Sequence, residues 1–168
     1  MPEEIFDVVD EEDQVIGQAP RSIVHLRKLL HRAVHVFVFN PEGKLLVQLR
    51  SARKDEFPSC YTSSASGHLA AGESYAAAAP RELLEELGLT APLEWLARFP
   101  AGPETSFEHT HLYRTVSGKV PQVDPQEVAA VSFHPLSEIA SLIAREPAKF
   151  SPCFRTLFEW YVEHGPAL

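Results

Sequence analysis

The amino-acid sequence predicts an α/β or α+β domain in which helices cover a sheet. Two observations carry this prediction. Many strand-like runs are mixed with three helical segments, and 168 residues suit one domain that buries roughly 70% of its unfolded surface. Because no repeat, low-complexity segment or linker divides the chain, we expect a single domain over residues 1–168. Its N-terminal strand or hairpin extension is expected to cover about residues 1–30.

The N-terminal part reads mainly as strands. AVHVFVFN and LLVQLR flank the turn PEGK and predict a β-hairpin. Upstream, IFDVVDEEDQVIG predicts two short strands around an acidic turn. RSIVHLRKLLHR is polar and apolar by turns and is too short to predict one element.

The remaining chain alternates loops, strands and helices. SARKDEFPS is a loop by composition, and YTSSASG is a plausible short strand. A helix over the segment GHLAAGESYAAAAPRELLEELGL follows. The later segments predict three strands, LEWLARFP, HTHLYRTVSGKV and EVAAVSFHP, and two helices, PLSEIASLIAREP and KFSPCFRTLFEWYVEHG, the last ending at Gly165.

Charge and hydropathy exclude several function classes. The net charge of −8 argues against nonspecific binding to nucleic acid or to an anionic membrane. No apolar run approaches the roughly 20 residues needed to cross a bilayer. The N-terminus is acidic where a secretory signal would be basic and then apolar. We therefore expect a soluble, cytoplasmic protein with no nucleic-acid or membrane partner.

The charge is unevenly spread along the chain. Residues 1–20 carry seven acids and no Lys or Arg, whereas residues 21–54 carry eight bases and one acid, Glu42. This basic segment could face a phosphorylated small molecule or could be a solvated surface. The two cysteines, Cys60 and Cys153, match no metal-ligand spacing and are expected to be reduced and structural.

The segment Gly67–Leu89 concentrates the chemistry. Glu82, Glu85 and Glu86 stand at i, i+3 and i+4, so they share one helix face near its C-terminus. Repulsion between them and the helix dipole both disfavour this arrangement. Mg²⁺ would remove the conflict, since it prefers carboxylate oxygens and bridges them to substrate phosphates. The spacing alone leaves a metal site and a merely acidic face both open.

The sequence also predicts the ends of this helix and which of its residues contact the core. Ser74 suits the N-cap and Gly88 the C-cap. Pro80 would cost roughly 3 kcal/mol in a helix interior. Either the helix is kinked at Pro80 or regular helix begins there; the cap and the alanines favour the kink. Leucines on the opposite side are expected to dock the helix to the core: Leu83, Leu84 and Leu87.

At every defining position, residues Gly67–Leu89 resemble the Nudix box. The resemblance implies an α/β/α sandwich, with a mixed sheet flanked by helices. It also implies Mg²⁺- or Mn²⁺-dependent cleavage of a small-molecule diphosphate. Glu82, Glu85 and Glu86 then resemble metal ligands, and the Ser66 carbonyl an additional one. Arg81, among the catalytic residues, resembles the arginine that pairs with Glu73 and orients the loop.

Residues from about 5 to 90 are similar to the branch of this family that includes isopentenyl diphosphate isomerase. In that branch, residues matching Arg50 and Lys54 hold the diphosphate. The match breaks at Ser66, where the isomerase has its catalytic cysteine. It also breaks at His109 and His111, which stand in place of a pair of glutamates of the isomerase. The box is also intact here, whereas that of the isomerase is degenerate. We therefore predict hydrolysis by attack of water at phosphorus. Isomerisation, or nucleotide sensing without turnover, is the alternative.

Other residues give weaker predictions. His25, His31 and His68 fall near positions resembling a histidine metal site of the isomerase. His109 and His111 could join them, or all five could be hydrogen-bonded or substrate-facing histidines. Glu108 and Glu127 are candidates for a further acid outside the box that acts as base or metal ligand. Candidates for aromatic contacts to the substrate are Phe57, Tyr61, Phe99 and Phe107. The protein could also form a homodimer.

Overall fold

The computed structural model describes residues 2–168. Nine strands and four α-helices form from them. The strands are β1 (Ile5–Val9), β2 (Val15–Pro20), β3 (His31–Phe39), β4 (Leu45–Arg50), β5 (Tyr61–Thr62), β6 (Ala65–His68), β7 (Glu94–Phe99), β8 (Glu108–Val116) and β9 (Val128–His134). The helices are α1 (Arg21–Arg27), α2 (Tyr75–Leu87), α3 (Leu136–Arg145) and α4 (Pro152–His164).

The main sheet is mixed and has the order β5-β4-β3-β8-β7, with β6 added on β3 and β9 on β4. β3 and β8 run parallel, whereas the other pairs are antiparallel. β1 and β2 form a separate two-stranded sheet. Within the described residues, no helix is long and apolar enough to span a bilayer.

Alternation along β3 places a core on each face of the sheet. Val34, Val36 and Val38 pack against α2, while Phe37 and Phe39 pack against α4. These five side chains are 1% exposed or less, and burying each contributes roughly 1.5–3 kcal/mol. The predicted sheet with helices on both faces is confirmed.

The predicted β3–β4 hairpin is only partly present. Its turn closes normally, with the Asn40 amide donating to the Lys44 carbonyl, but the strands pair only at Phe39 and Leu45. Beyond that point they separate, and the Ser64 hydroxyl bridges them, accepting from the Val38 amide and donating to the Leu46 carbonyl. The segment containing β5 and β6 therefore crosses between the two strands.

The helix α2 begins where the sequence predicts and runs through Pro80. Ser74 accepts a hydrogen bond from the Ala77 amide, and Gly88 ends the helix in the left-handed conformation. The alternative in which regular helix begins at Pro80 is therefore wrong. Leu83 and Leu87 are fully buried, but Leu84 is 55% exposed, so its expected docking to the core is also wrong.

The ambiguous segment before β3 forms α1. Only Val24 is buried in this seven-residue helix, so its apolar periodicity was too brief to predict a helix. Lys28 ends the helix in the left-handed region, with φ of 54°. The chain then enters β3 at His31, which brings His25 close to the end of the main sheet.

Candidate active site

One cavity of about 350 Å³ gathers most of the residues singled out from the sequence. It opens where β6, the acidic face of α2 and the loop after β4 meet. Arg81 is not among its lining residues. The predicted site residues that line it are Arg50, Lys54, Ser66, Glu82, Glu85 and Glu86.

Two of the three α2 carboxylates are buried. Glu82 and Glu86 are 9% and 4% exposed, whereas the Glu85 side chain is 57% exposed. The Glu86 carboxylate accepts from the Ser66 amide at 2.7 Å and from the Gln48 side-chain amide at 3.4 Å. Gly67 lies directly under Glu82, and a Cβ there would overlap the carboxylate. A larger residue at this position would therefore displace the Glu82 carboxylate.

At these two carboxylates the effect of burial on the pKa outweighs that of the nearby positive charges. Burial, followed by repulsion from Glu86, raises the pKa of Glu82 to about 8, although Arg81 opposes this. Burial likewise raises the pKa of Glu86 to about 7. A divalent cation would favour both ionised forms, so the donor set of hard carboxylate oxygens fits Mg²⁺ or Mn²⁺.

Arg81 holds the acidic helix against the loop before it. Its Nε and Nη2 donate to the two oxygens of Glu73 at 2.7 and 2.8 Å. Nη1 donates to Glu82 at 2.8 Å and to Glu85 at 3.2 Å, and Nη2 also donates to the His68 carbonyl. The bidentate geometry fixes the loop and leaves Arg81 behind the carboxylates.

Basic side chains line the same cavity. Arg50 donates to the Glu56 carbonyl at 3.0 Å, and Lys54 forms an ion pair with Glu127. A third base, Arg21, also lines the cavity and pairs with Asp55 at 3.0 Å. Sequence reasoning missed Arg21, although it opens the basic segment of residues 21–54.

A second group of titratable residues lies beside this cavity. Donor atoms of His25, His31 and His68 lie within 4.8 Å of one another. His68 Nε2 is 2.8 Å from the Glu108 carboxylate, and His31 Nε2 is 3.5 Å from it. Burial alone would raise the pKa of Glu108, but the two imidazoles hold it well below its usual range. We call His25, His31, His68 and Glu108 the histidine cluster.

His109 and His111 do not join the histidine cluster. Along β8 Glu108 and Thr110 face α4, whereas His109 and His111 point to the opposite face. His109 Nε2 lies 2.9 Å from the Asp10 carbonyl, and His111 stacks on Tyr75 at 3.5 Å. Glu108, and neither of these histidines, lies beside His68 and supplies the carboxylate of the cluster.

Other predicted contacts divide between the cavity and the rest of the fold. Glu108, Glu127 and Phe57 line the cavity, whereas Tyr61, Phe99 and Phe107 are not among its lining residues. The inner wall also contains residues that the sequence did not single out, including His35, Thr62 and Cys153. Alternation from His31 along β3 could have placed His35 on this face; no sequence signal could have placed Cys153.

The comparisons agree with this geometry. The family model described as the NUDIX domain matches residues 29–160. An isopentenyl-diphosphate Delta-isomerase of Serratia proteamaculans is 35% identical over 94% of this chain and 90% of its own length. A prenyl-diphosphate phosphatase of Methanosarcina mazei is 32% identical, covering 88% of each chain.

A solved structure is also similar. The crystal structure of a Deinococcus radiodurans protein has a TM-score of 0.83 and 28% identity, covering 93% of this chain and 98% of the other. The likeness therefore covers nearly the whole of both chains.

Proposed function

We propose that this chain, which belongs to the NUDIX domain family, is a metal-dependent pyrophosphohydrolase. Its substrate is an organic diphosphate, either a nucleoside diphosphate derivative or a similar compound. The proposal rests on one observation: the three α2 carboxylates line the same cavity as the basic side chains of Arg21, Arg50 and Lys54. Such opposed charges suit a divalent cation on one side and diphosphate oxygens on the other.

Each side of the cavity has a distinct role in this proposal. Glu82, Glu85 and Glu86, with the Ser66 carbonyl, would hold the cation. Mg²⁺ or Mn²⁺, when bound, would polarise a phosphoryl oxygen and lower the pKa of water. Arg50, Lys54 and Arg21 would bind and orient the diphosphate, and neutralise charge on its oxygens.

The carboxylates that line the cavity are candidate acceptors for the proton of the attacking water. Glu108 is poorly suited, because it is already bonded to His68 and its pKa is lowered. Glu127 lines the cavity and would become available when a diphosphate draws Lys54 away from it. The α2 glutamates remain the other acceptors facing the cavity.

The test is hydrolysis of a substrate panel with Mg²⁺ present. The panel contains nucleoside diphosphates and triphosphates, nucleotide sugars, dinucleotides and isoprenoid diphosphates. We expect Glu85→Gln and Glu86→Gln each to lower kcat at least about 1,000-fold, because several kcal/mol of charge stabilisation is lost. Glu159→Gln, on the exposed side of α4, is the control. Wild-type rates in both α2 variants would disprove the proposal.

Isomerisation of an isoprenoid diphosphate is the second candidate function. It is favoured by the likeness to isomerases over nearly the whole chain. The position before Gly67 and His68 is Ser66, so proton transfer to an alkene would lack the cysteine expected there. Formation of the isomeric diphosphate without release of phosphate or pyrophosphate would favour this candidate over hydrolysis.

A second cation at the histidine cluster is a further part of the proposal. His25 Nε2 is buried and has no hydrogen-bond partner among residues 2–168, and His31 Nε2 lies 3.5 Å from the Glu108 carboxylate. Neutral imidazoles with a carboxylate suit Mn²⁺ or Zn²⁺. Elemental analysis and anomalous scattering should find a metal beyond the one at α2; finding none would reject this second site.

A further inference from the structure

A third group of ligating side chains lies on the inner wall of the cavity, on the side of α4. His35 from β3, Glu108 from β8 and Cys153 from α4 have donor atoms within 4.8 Å of one another. All three residues are buried, at 5%, 6% and 5% exposure. Both His35 and Cys153 line the cavity, so a small ion has access to them.

The separation of sulfur and nitrogen suits a tetrahedral metal. Cys153 Sγ is 3.5 Å from His35 Nε2. Two ligands of one tetrahedral Zn²⁺, with Zn–S near 2.3 Å and Zn–N near 2.0 Å, are about 3.5 Å apart. The observed distance therefore requires no rearrangement of these two side chains around the ion.

The surrounding residues orient the donors. His35 Nδ1 lies 2.7 Å from the Ser63 hydroxyl, which leaves Nε2 directed at the thiol. Such a partner on the second ring nitrogen is typical of metal-binding histidines. Glu108 is similarly held by His68 at 2.8 Å.

The backbone and the charge balance also favour a metal thiolate. Cys153 is the second residue of α4, after Pro152 and the N-cap Ser151. Burial and the nearby Glu108 carboxylate raise the pKa of the Cys153 thiol, whereas the positive end of the helix dipole and a bound cation would each favour the thiolate. One thiolate and one carboxylate balance the two charges of the cation.

We propose that His35, Glu108 and Cys153 bind a thiophilic divalent cation such as Zn²⁺, with its remaining position open to the cavity. Binding forms a sulfur–metal bond and releases the thiol proton to solvent. This site differs from the α2 site in its sulfur and nitrogen donors, which favour Zn²⁺ over Mg²⁺. It shares Glu108 with the histidine cluster, so occupancy of the two is coupled.

Cobalt spectroscopy tests the proposal without relying on enzyme activity. Co²⁺ bound to thiolate gives a near-ultraviolet sulfur-to-metal charge-transfer band, whereas Co²⁺ at the glutamates or histidines does not. We expect this band in the purified wild-type protein titrated with Co²⁺ alone. We expect it also in Cys60→Ser, where Cys153 is the sole thiol.

Two further variants complete the test. Cys153→Ser should abolish the band. His35→Asn should raise the Co²⁺ concentration that gives half of the band at least about 100-fold. A wild-type protein without the band, or loss of the band in Cys60→Ser, would overturn the proposal. Because the Cys60→Ser spectrum assigns the sulfur by itself, the result stands even if Cys153→Ser fails to fold.

Discussion

Glu86 and Glu108 are buried carboxylates in the same cavity, but their environments are opposite. Glu86 accepts from neutral amides of Ser66 and Gln48, and burial raises its pKa to about 7. Glu108 contacts the imidazoles of His31 and His68, which lower its pKa. Burial alone therefore does not identify a cation site. The local supply of positive charge decides how strongly a carboxylate needs one.

The largest expected effect comes from Glu108→Gln. Removing this charge leaves His31 and His68 buried without their anionic partner, which should lower the free energy of unfolding by about 3–5 kcal/mol. Urea denaturation of the metal-free protein at pH 6 measures it. The matched control is Glu85→Gln, which removes an exposed carboxylate and should change stability by less than about 0.5 kcal/mol. Equal stability of the Glu108 variant and the wild type would contradict the role of Glu108 as the anionic partner of the two imidazoles.

Glu86→Gln should raise the free energy of unfolding, whereas Glu108→Gln lowers it. Because the folded pKa of Glu86 lies above its unfolded value of 4.5, the wild-type protein without metal loses stability as pH rises through about 7. The variant keeps the acceptor oxygen but cannot ionise. We expect it to be more stable than wild type by about 2–3 kcal/mol at pH 8 and nearly equal at pH 5.

Adding Mg²⁺ gives a second test of the ionised Glu86 carboxylate. Saturating Mg²⁺ should stabilise the wild type at pH 8 more than it stabilises Glu86→Gln, because the ion binds the ionised carboxylate. Denaturation with and without Mg²⁺ measures the difference. A Glu86 variant less stable than wild type at pH 8 in the absence of metal would contradict the raised pKa.

The smallest expected effect comes from Pro80→Ala. Alanine restores the hydrogen bond to the Ala76 carbonyl and removes the ring clash, which should stabilise α2 by about 2 kcal/mol. Pro80 is exposed and its side chain carries no charge. The gain in thermal denaturation should therefore be the same at pH 5 and pH 8, with or without Mg²⁺. A pH-dependent gain would show that scaffold strain and carboxylate charge are coupled.

Local signals in the sequence predicted much of the fold. The caps at Ser74 and Gly88 bracketed α2, and alternating residues marked most strands. Partner choice between strands was not predictable, because β3 and β4 meet residues far away in the chain. The turn at PEGK predicted a full hairpin, although each strand takes other neighbours.

The candidate site divides in the same way. The α2 glutamates follow from i, i+3 and i+4 spacing, since a single helix displays them. Arg21, Glu108 and Cys153 come from three separate elements and meet only in the folded chain. The predicted strand began at His109 and so left out Glu108, which is the first residue of β8. The sequence also did not indicate which face of this strand meets the cavity.

The Ser64 bridge between β3 and β4 has a consequence for the order of folding. A β-hairpin forms within microseconds, and a hairpin closed by the turn PEGK would pair β3 and β4 along their full length. The native state instead requires β5 and β6 to occupy the gap, and β3 to pair with β8 about 75 residues later. Because pairing between strands so distant in sequence is slow, we expect the β3–β8 pairing, and with it the closed cavity, to form after the turn.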